Sequence, residues 1–221
     1  MIGRAATEAG AILQTFFPGE EGAPAIAGVL SGRVNPSGRL PVSVPRTPGA
    51  QPSTYLAAQL GQASSVSNID PGAAFPFGAG LGYSSFEWVS HGTVTEIATD
   101  GSVELTLTVR NTGDREGADV VQLYLHDPIA SVVRPVQRLI GFCKVRLDAG
   151  AAARVTVTVP ADLASFTGRD LRRIVEPGEL VLGFGRSSGD IPFTHAVTLT
   201  GPVRVVDHTR ALHPSWTVTP A

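Results

Sequence analysis

The stretch SVELTLTV, residues 102–109, alternates polar and apolar side chains over its whole length. A period of two places every second side chain on the same face of the backbone, so this pattern predicts a half-buried β-strand. The next segment, NTGDREG at residues 111–117, contains Asn, Gly and Asp, which favour tight turns. A strand closed by such a turn is typical of an antiparallel sheet.

The same alternation of strands and turns extends in both directions from this stretch. About seven strands within about 115 residues are the pattern of an immunoglobulin-like sandwich. Residues 203–221 contain two prolines and are expected to form a partly mobile tail. Besides residues 102–109, strands are predicted at residues 87–97, 120–125, 138–147, 153–159, 179–184 and 195–200.

The region before residue 87 has a different pattern. Residues 11–17, AILQTFF, form an apolar run closed by Pro-Gly, which predicts a buried strand of a parallel sheet. Glu20 and Glu21 suit the positive end of a helix dipole, and residues 25–30 supply the packed side of that helix. The predicted fold class is therefore mainly β: a sandwich preceded by a partial α/β unit with a parallel sheet.

A short strand and a long loop are predicted between this helix and the sandwich. Residues 39–44 are strand-like, and Pro41 suits an edge position. Residues 47–74 are rich in Pro, Ser, Gln and Gly without a clear period, which indicates a long ordered loop.

Composition excludes several classes of partner. The chain has 17 basic and 19 acidic residues, a net charge of -2, so it lacks the basic surface that nucleic-acid binding requires. No run reaches membrane-spanning length, so no membrane partner is expected. The N-terminus lacks the apolar core and cleavage site of a signal peptide, so a cytoplasmic location is expected for the chain as written. Cys143 lies in an apolar context that favours a buried thiol.

Five segments occur in the order found in the C-terminal part of family 3 glycoside hydrolases, the group of β-glucosidases and β-xylosidases. They cover residues 18–46 (PGEEGAPAIAGVLSGRVNPSGRLPVSVPR), 75–88 (FPFGAGLGYSSFEW), 109–125 (VRNTGDREGADVVQLYL), 134–150 (RPVQRLIGFCKVRLDAG) and 175–191 (VEPGELVLGFGRSSGDI). The chain thus resembles that family from residue 11 to about residue 200. Within the loop, residues 54–56 and 66–71 resemble the β-xylosidase-like subgroup. The chain departs from the family pattern at three positions: Ala23 replaces a common glycine, Ala79 stands where Tyr or His is usual, and Gly82 stands where Ser is usual.

The resemblance implies a division of the chain. Family 3 enzymes typically have a barrel domain, an α/β sandwich domain and a fibronectin type III-like β-sandwich. Residues 1–76 would then end the α/β domain, residues 77–86 would form a hinge, residues 87–202 the fibronectin type III-like sandwich, and residues 203–221 a tail.

The resemblance also implies where the chemistry lies. The nucleophilic Asp of the family belongs to the barrel, and the acid/base Glu lies upstream of the segment that begins at residue 18. No residue of this chain is therefore assigned a catalytic, substrate-binding or metal-binding role, and no cofactor is expected. The expected partners are the barrel domain or subunit and a carbohydrate reached through the complete enzyme.

Glu20 and Glu21 are the acids that most invite a catalytic interpretation. A retaining glycosidase needs two carboxyl groups about 5–5.5 Å apart. Adjacent side chains at a helix start point in different directions, so helix-dipole stabilisation explains this pair without catalysis.

Three other patterns also have structural explanations. The glycine-rich residues 183–189 lack the spacing of a dinucleotide loop, which predicts a strand end and turn. Ser187, Ser188 and Asp190 lack a nucleophile elbow, which argues against a hydrolase triad. Five scattered histidines lack the company of a zinc site and are expected in turns or on the surface: His91, His126, His195, His208 and His213.

The segment FPFGAGLGY, which starts at Phe75, is interpreted as an aromatic hinge between domains. Burial of Phe75 and Phe77, at about 1.5–3 kcal/mol each, would anchor the sandwich. Gly78, Gly80 and Gly82 would permit close backbone turns. Stacking of these aromatic rings on a sugar remains an alternative.

Three functions are left open by the sequence. The first is the scaffold portion of a β-glycosidase that acts on terminal β-linked glucose or xylose and is inactive as this chain alone. The second is a carbohydrate-binding or interaction module built on the sandwich. The third is the non-catalytic half of a split enzyme that pairs with a barrel subunit.

Overall fold

The computed structural model describes residues 3–51, 53–92 and 95–221. Two helices precede the strands: α1 (Ala5–Glu8) and α2 (Gly22–Leu30). The strands are β1 (Val44–Pro45), β2 (Ala73–Phe75), β3 (Phe86–Ser90), β4 (Glu96–Ala98), β5 (Ser102–Asn111), β6 (Gly117–His126), β7 (Arg138–Leu147), β8 (Ala152–Pro160), β9 (Phe166–Thr167), β10 (Arg173–Val175), β11 (Gly178–Gly185), β12 (Phe193–Thr200), β13 (Arg204–Val205) and β14 (Ser215–Pro220).

Two sheets form the predicted β-sandwich. One has five strands in the order β4-β12-β11-β6-β7, and the other has four in the order β14-β8-β5-β3. Antiparallel pairing joins neighbours throughout, except that β4 pairs parallel with β12. A small three-stranded sheet, β13-β10-β9, lies beside them, and β1 pairs with β2.

The core lies between the two sheets and follows the alternation of the sequence. In β5, buried and more exposed residues alternate along the strand, as residues 102–109 predict. Each fully buried aliphatic side chain contributes about 1.5–3 kcal/mol, so this core is the main source of stability. Its most buried members include Leu105, Leu107, Val109, Val121, Leu123, Val155, Val157, Leu182 and Phe184.

β6 departs from alternation because both of its faces are covered. All its residues from Gly117 to Leu125 are buried. One face packs in the core, and residues 35–40 and 76–80 contact the other through hydrogen bonds described below. Polar residues can therefore lie buried on this strand when they find partners.

The helix predicted after residue 20 is confirmed. α2 begins at Gly22, directly after Glu21, and Gly32 just beyond it has a φ of 75°. A glycine in this left-handed conformation is a common helix ending, since no Cβ opposes it.

The predicted buried strand at residues 11–17 is wrong. This segment forms no strand and is largely exposed, with Phe17 fully accessible and Ile12 and Leu13 about 40% exposed. A strand forms only where an edge supplies backbone partners, and the described residues offer none here. The described N-terminal region accordingly contains no parallel pairing, and α2 is its main element.

Other predicted boundaries also need correction. The strand expected at residues 87–97 is two strands, β3 and β4, which belong to different sheets, and residues 93 and 94 of that expectation lie outside the described residues. Of residues 39–44, only Val44 is in a strand. The loop 47–74 contains two short 3₁₀ turns and ends in β2.

The tail expected at residues 203–221 is partly structured. β14 pairs with β8 over six residues and completes the four-stranded sheet. Trp216 packs against the core from this strand, which holds the segment in place. Among the described residues, no helix combines the length and apolar character needed to cross a bilayer.

Candidate functional site

The candidate site is a buried contact surface, called here the joint. It comprises the contacts that residues 29–43 and the hinge 77–86, together with Tyr55 of the long loop, make with β3, β6 and the turns 111–117 and 186–190. Backbone bonds tie the first two segments together, since Gly78 N donates to Leu40 O and Leu40 N donates to Ala79 O. The hinge and residue 40 are thus held together by backbone hydrogen bonds.

An ion pair lies at the centre of the joint. Arg39 Nη2 donates to Asp119 Oδ1 at 2.7 Å, and the side chains are only 14% and 6% exposed. The other carboxylate oxygen accepts from Trp88 Nε1 at 2.9 Å, and the Val120 amide donates to Oδ1 at 2.8 Å. Loss of either partner would leave the other charge buried and unpaired, which is strongly unfavourable. The pair therefore holds residues 35–40 against β6.

A chain of amide and hydroxyl groups continues along β6. Tyr124 donates its hydroxyl proton to Gln122 Oε1 at 2.7 Å, and Gln122 Nε2 donates to the carbonyls of Gly78 and Arg186 at 3.0 and 2.5 Å. Burial, with the neighbouring Tyr55, raises the pKa of Tyr124 well above its usual value. Tyr124 therefore stays protonated and acts as a structural donor rather than as a base.

The aromatic part of the joint connects the hinge to the long loop. The Phe77 and Tyr55 rings are stacked, with centroids 4.2 Å apart, and Tyr55 meets Tyr124 edge-on at 6.3 Å. Phe75 and Phe77 are half-buried rather than fully buried, so the expected 1.5–3 kcal/mol each is an upper value. The geometry supports the anchoring interpretation of the hinge, since Phe77 already has a stacking partner within the chain.

The glycines of the hinge permit the close approach that was predicted. Gly78 has a φ of 81°, and a Cβ there would lie 2.0 Å from Gln122 Oε1. A Cβ on Gly80 would lie 2.4 Å from the Gly38 carbonyl oxygen, and one on Gly82 would lie 2.8 Å from the Pro36 carbonyl oxygen. The departure from the family pattern at Gly82 thus fits the space available here.

A second polar group closes the joint next to the end of α2. Asn35 Nδ2 donates to Ser84 Oγ at 2.8 Å and to the Glu116 carbonyl at 2.9 Å, and Asn35 Oδ1 accepts from the Tyr83 amide at 2.7 Å. Arg115 Nη2 donates to the Gly32 carbonyl at 2.9 Å. Residues far apart in sequence are therefore bonded through one asparagine side chain.

The turn after β11 also serves the joint. Residues 183–189 form a strand end and turn, as predicted, in which the Arg186 amide donates to the Asp190 carbonyl at 2.8 Å. The Ser188 amide donates to the Phe77 carbonyl at 2.9 Å, and the Arg186 guanidinium lies 4.7 Å from the Trp88 ring centroid. The small residues of this turn therefore permit contact with the hinge, and nothing in the turn forms a triad.

Glu20 and Glu21 lie exposed at the start of α2. Glu21 is the N-cap residue of α2, but its side chain makes no capping hydrogen bond. A cleft of about 280 Å³ opens elsewhere, beside the connection between β6 and β7, and Asp127 is the one acidic residue among the described residues that line it. Burial raises the pKa of Asp127, although Arg134 pairs with it at 2.6 Å and opposes the shift. One carboxyl group held by an arginine cannot supply the two roles of a glycosidase.

The histidines are dispersed. His195 Nε2 lies 2.8 Å from Ser90 Oγ, and burial lowers the pKa of this imidazole. His91 Nε2 lies 2.8 Å from Thr108 Oγ1, and His126 Nδ1 contacts the Val136 carbonyl. Within residues 3–51, 53–92 and 95–221, no three histidine, cysteine or acidic side chains are grouped so that they could hold a metal ion.

The sequence interpretation missed Asp119 and Gln122 as the organising residues of the joint. A signal for them exists, because both are polar side chains inside the otherwise apolar run ADVVQLYL. A buried polar side chain must find a partner, so each such position indicates a contact from outside the sheet. The sequence does not indicate which residues are the partners, because they lie some 40 to 80 positions away.

Comparison with known proteins adds two family matches. The glycosyl hydrolase family 3 C-terminal domain matches residues 1–83, and the fibronectin type III-like domain matches residues 119–188. The two matches lie on opposite sides of the joint.

Individual relatives agree with these matches. A putative beta-xylosidase of Formosa agariphila is 35% identical over 83% of the chain and 24% of its own length. A periplasmic beta-glucosidase of Salmonella typhimurium is 38% identical over 83% of the chain and 26% of its own length. The chain spans about a quarter of the length of these curated relatives.

Solved structures give the same result. A beta-glucosidase from Listeria innocua in complex with glucose aligns with a TM-score of 0.80 and 33% identity, over 86% of this chain and 28% of its own. A b-glucosidase from Erythrobacter marinus aligns with a TM-score of 0.78 and 38% identity, over 84% of this chain and 24% of its own.

Proposed function

Because this chain belongs to glycosyl hydrolase family 3, as a C-terminal part of that family with its fibronectin type III-like domain, we propose that it is the scaffold portion of a β-glycosidase. The reaction of the whole enzyme is hydrolysis of terminal β-linked glucose or xylose, in line with the names of its relatives. The chain itself contributes no catalytic acid and is inactive alone.

The observation that carries this proposal is the joint. It bonds the segment matched by the family 3 C-terminal domain to the sandwich through a buried ion pair, a buried amide and a stacked aromatic pair. Such a surface fixes the position of one unit against another, and catalysis that depends on positioning tolerates little misplacement. Bracing of this kind is what a scaffold contributes to an active site built elsewhere.

The acidic side chains support inactivity of the chain alone. Asp119 and Asp127 are paired with arginines, and Asp162 is paired with Arg204 and also accepts from the Ala211 amide. A glycosidase acid needs a pKa raised for proton donation and a second carboxylate across the bond. Among the described residues that line the cleft beside β6, only Asp127 is acidic, so that arrangement is not available there.

An assay of the purified chain tests this proposal. We expect no hydrolysis of p-nitrophenyl β-glucoside or β-xyloside above the rate in buffer. Asp127→Asn is the informative control, since it removes the one acid in the cleft. Turnover by the wild-type chain that disappears in Asp127→Asn would show a catalytic site within the chain and end the proposal.

We further propose that the barrel-bearing part of the enzyme, as a domain or a separate subunit, covers the exposed apolar side chains near the N-terminus. Phe17 is fully exposed and Leu30 is 71% exposed, while Ile12 and Leu13 are about 40% exposed. Exposed apolar side chains that form a contiguous patch commonly mark an interaction surface. A Phe17→Ser, Leu30→Ser variant should bind less of the hydrophobic dye ANS at an unchanged melting temperature. Equal dye binding would show that these side chains do not form an accessible apolar surface.

A further inference from the structure

The cleft of about 280 Å³ beside the connection between β6 and β7 has mixed walls. Val132 and Pro135 supply accessible apolar surface, and the guanidinium groups of Arg134 and Arg138 supply charge. Small-molecule sites commonly combine a largely apolar lining with a few placed polar groups. The volume suits a compact ligand rather than a polymer.

The two arginines of the cleft differ in their partners. Arg134 pairs with Asp127 at 2.6 Å, with both side chains 10% exposed, and its guanidinium lies 4.6 Å from the Phe166 ring centroid. The Arg138 guanidinium donates to the Leu163 carbonyl, and no described carboxylate lies within ion-pairing distance of it. Arg138 is therefore a half-buried cation with donors to spare, since a guanidinium carries five N–H groups.

The surroundings leave positive charge in excess. Arg173 repels Arg138 electrostatically, while its own hydrogen bonds go to Ser165. Glu176 repels Asp127 and accepts a hydrogen bond from the Ser131 amide at 3.1 Å. Of the charged groups that line the cleft itself, two are guanidinium groups, on Arg134 and Arg138, and one is a carboxylate, on Asp127, so one positive charge is in excess. Burial, with the repulsion of Arg134 and Arg173, lowers the pKa of Arg138, which is the direction expected where a cation lacks a counter-ion.

We propose that this cleft binds a small organic carboxylate. The carboxylate pairs with the free edge of the Arg138 guanidinium, and the apolar body of the ligand packs against Val132 and Pro135. The site lies outside the joint, and Asp127 is the one acidic residue among the described residues that line it. It does not depend on the proposed function.

The charge and shape of the cleft favour a monoanionic carboxylate over phosphate. One guanidinium in excess balances one negative charge, and the planar fork of arginine matches the two oxygens of a carboxylate. A phosphate dianion would bring a second negative charge close to Asp127. The apolar walls add affinity only for a ligand that carries an apolar body.

Benzoate is the probe, and benzamide is its neutral counterpart of the same shape. The full chain is titrated with each compound and with inorganic phosphate by isothermal calorimetry in low-salt buffer near neutral pH. We expect saturable binding of benzoate and none of benzamide or phosphate over the same range. Arg138→Gln should weaken benzoate binding about tenfold or more, which is a loss of one counter-charge. Arg146→Gln is the matched control on β7, since Arg146 is exposed and pairs with Glu116.

Val133 allows a test that leaves the buried arginines intact. It lines the cleft but is 87% exposed, so substitutions there should not disturb folding. Val133→Asp places a competing carboxylate at the opening and should weaken benzoate binding about tenfold, whereas the neutral Val133→Asn should not. Benzamide or phosphate binding as tightly as benzoate, equal affinities for Val133→Asp and Val133→Asn, or no saturable benzoate binding would each overturn the proposal.

Discussion

Replacement of Asp119 by alanine tests the energetic importance of the joint. In the folded chain this carboxylate accepts from the Arg39 guanidinium, the Trp88 indole and the Val120 amide. Asp119→Ala strands a guanidinium whose side chain is only 14% exposed and leaves two further donors unpaired. Removal of one partner from a buried pair costs about 3–5 kcal/mol, so we expect the free energy of unfolding to fall by about that amount.

Urea unfolding followed by tryptophan fluorescence measures this loss. Trp88 lies within the joint beside Arg186 and Trp216 packs against the core from β14, so the emission reports on unfolding of both regions. An exposed ion pair gives the matched control: Arg146 and Glu116 are 71% and 51% exposed, and Glu116→Ala should cost less than about 1 kcal/mol because solvent screens the pair.

A double variant separates the ion pair from packing. Arg39→Met combined with Asp119→Leu removes both charges and leaves the Trp88 indole and the Val120 amide without their carboxylate acceptor. Its cost should be smaller than that of Asp119→Ala, about 1–3 kcal/mol, since no buried charge is left unpaired. Asp119→Ala should lower the free energy of unfolding by more than Glu116→Ala does. An equal or smaller loss would refute this prediction, because it would mean that solvent screens the Arg39–Asp119 pair as it does an exposed one.

Three further predictions concern single side chains. Phe77→Ala removes the ring stacked on Tyr55 at 4.2 Å, so we expect a loss of about 1–2 kcal/mol and faster proteolysis near the hinge; unchanged protease sensitivity and melting would contradict the anchoring role. Gly78→Ala places a Cβ 2.0 Å from Gln122 Oε1 at a φ of 81°, so we expect it to destabilise the fold by more than about 1 kcal/mol and to lower the melting temperature. An unchanged melting curve would show that the backbone can shift to accept the methyl group. Burial lowers the pKa of His195, so the unfolded chain binds the proton more readily and stability should fall as the pH drops below about 6.5. The melting temperature should therefore change less between about pH 7.5 and 5.5 in His195→Gln than in the wild type, and an equal change would contradict this assignment.

The sandwich could be predicted because its strands carry local information. Residues 102–109 alternate because one face of β5 lies in the core, and residues 138–147 coincide with β7. Where a strand is covered on both faces, as in β6, alternation disappears and the boundaries must be taken from turns.

The remaining elements depend on partners distant in sequence. Residues 11–17 have the composition of a strand but no described edge to pair with, so composition alone was misleading there. β14 forms because β8, some sixty residues earlier, offers an open edge. The Arg39–Asp119 pair joins residues 80 positions apart, and only the polar interruption of an apolar strand at Asp119 indicated that such a partner exists.

A chimera provides the most direct test of the scaffold function. The part of the Salmonella typhimurium periplasmic beta-glucosidase that aligns with this chain, at 38% identity, is replaced by the chain itself. We expect the chimera to hydrolyse p-nitrophenyl β-glucoside, and the same chimera with Asp119→Ala to lose activity in parallel with its loss of folding stability. A stably folded chimera without activity, or activity in the isolated chain, would contradict the account.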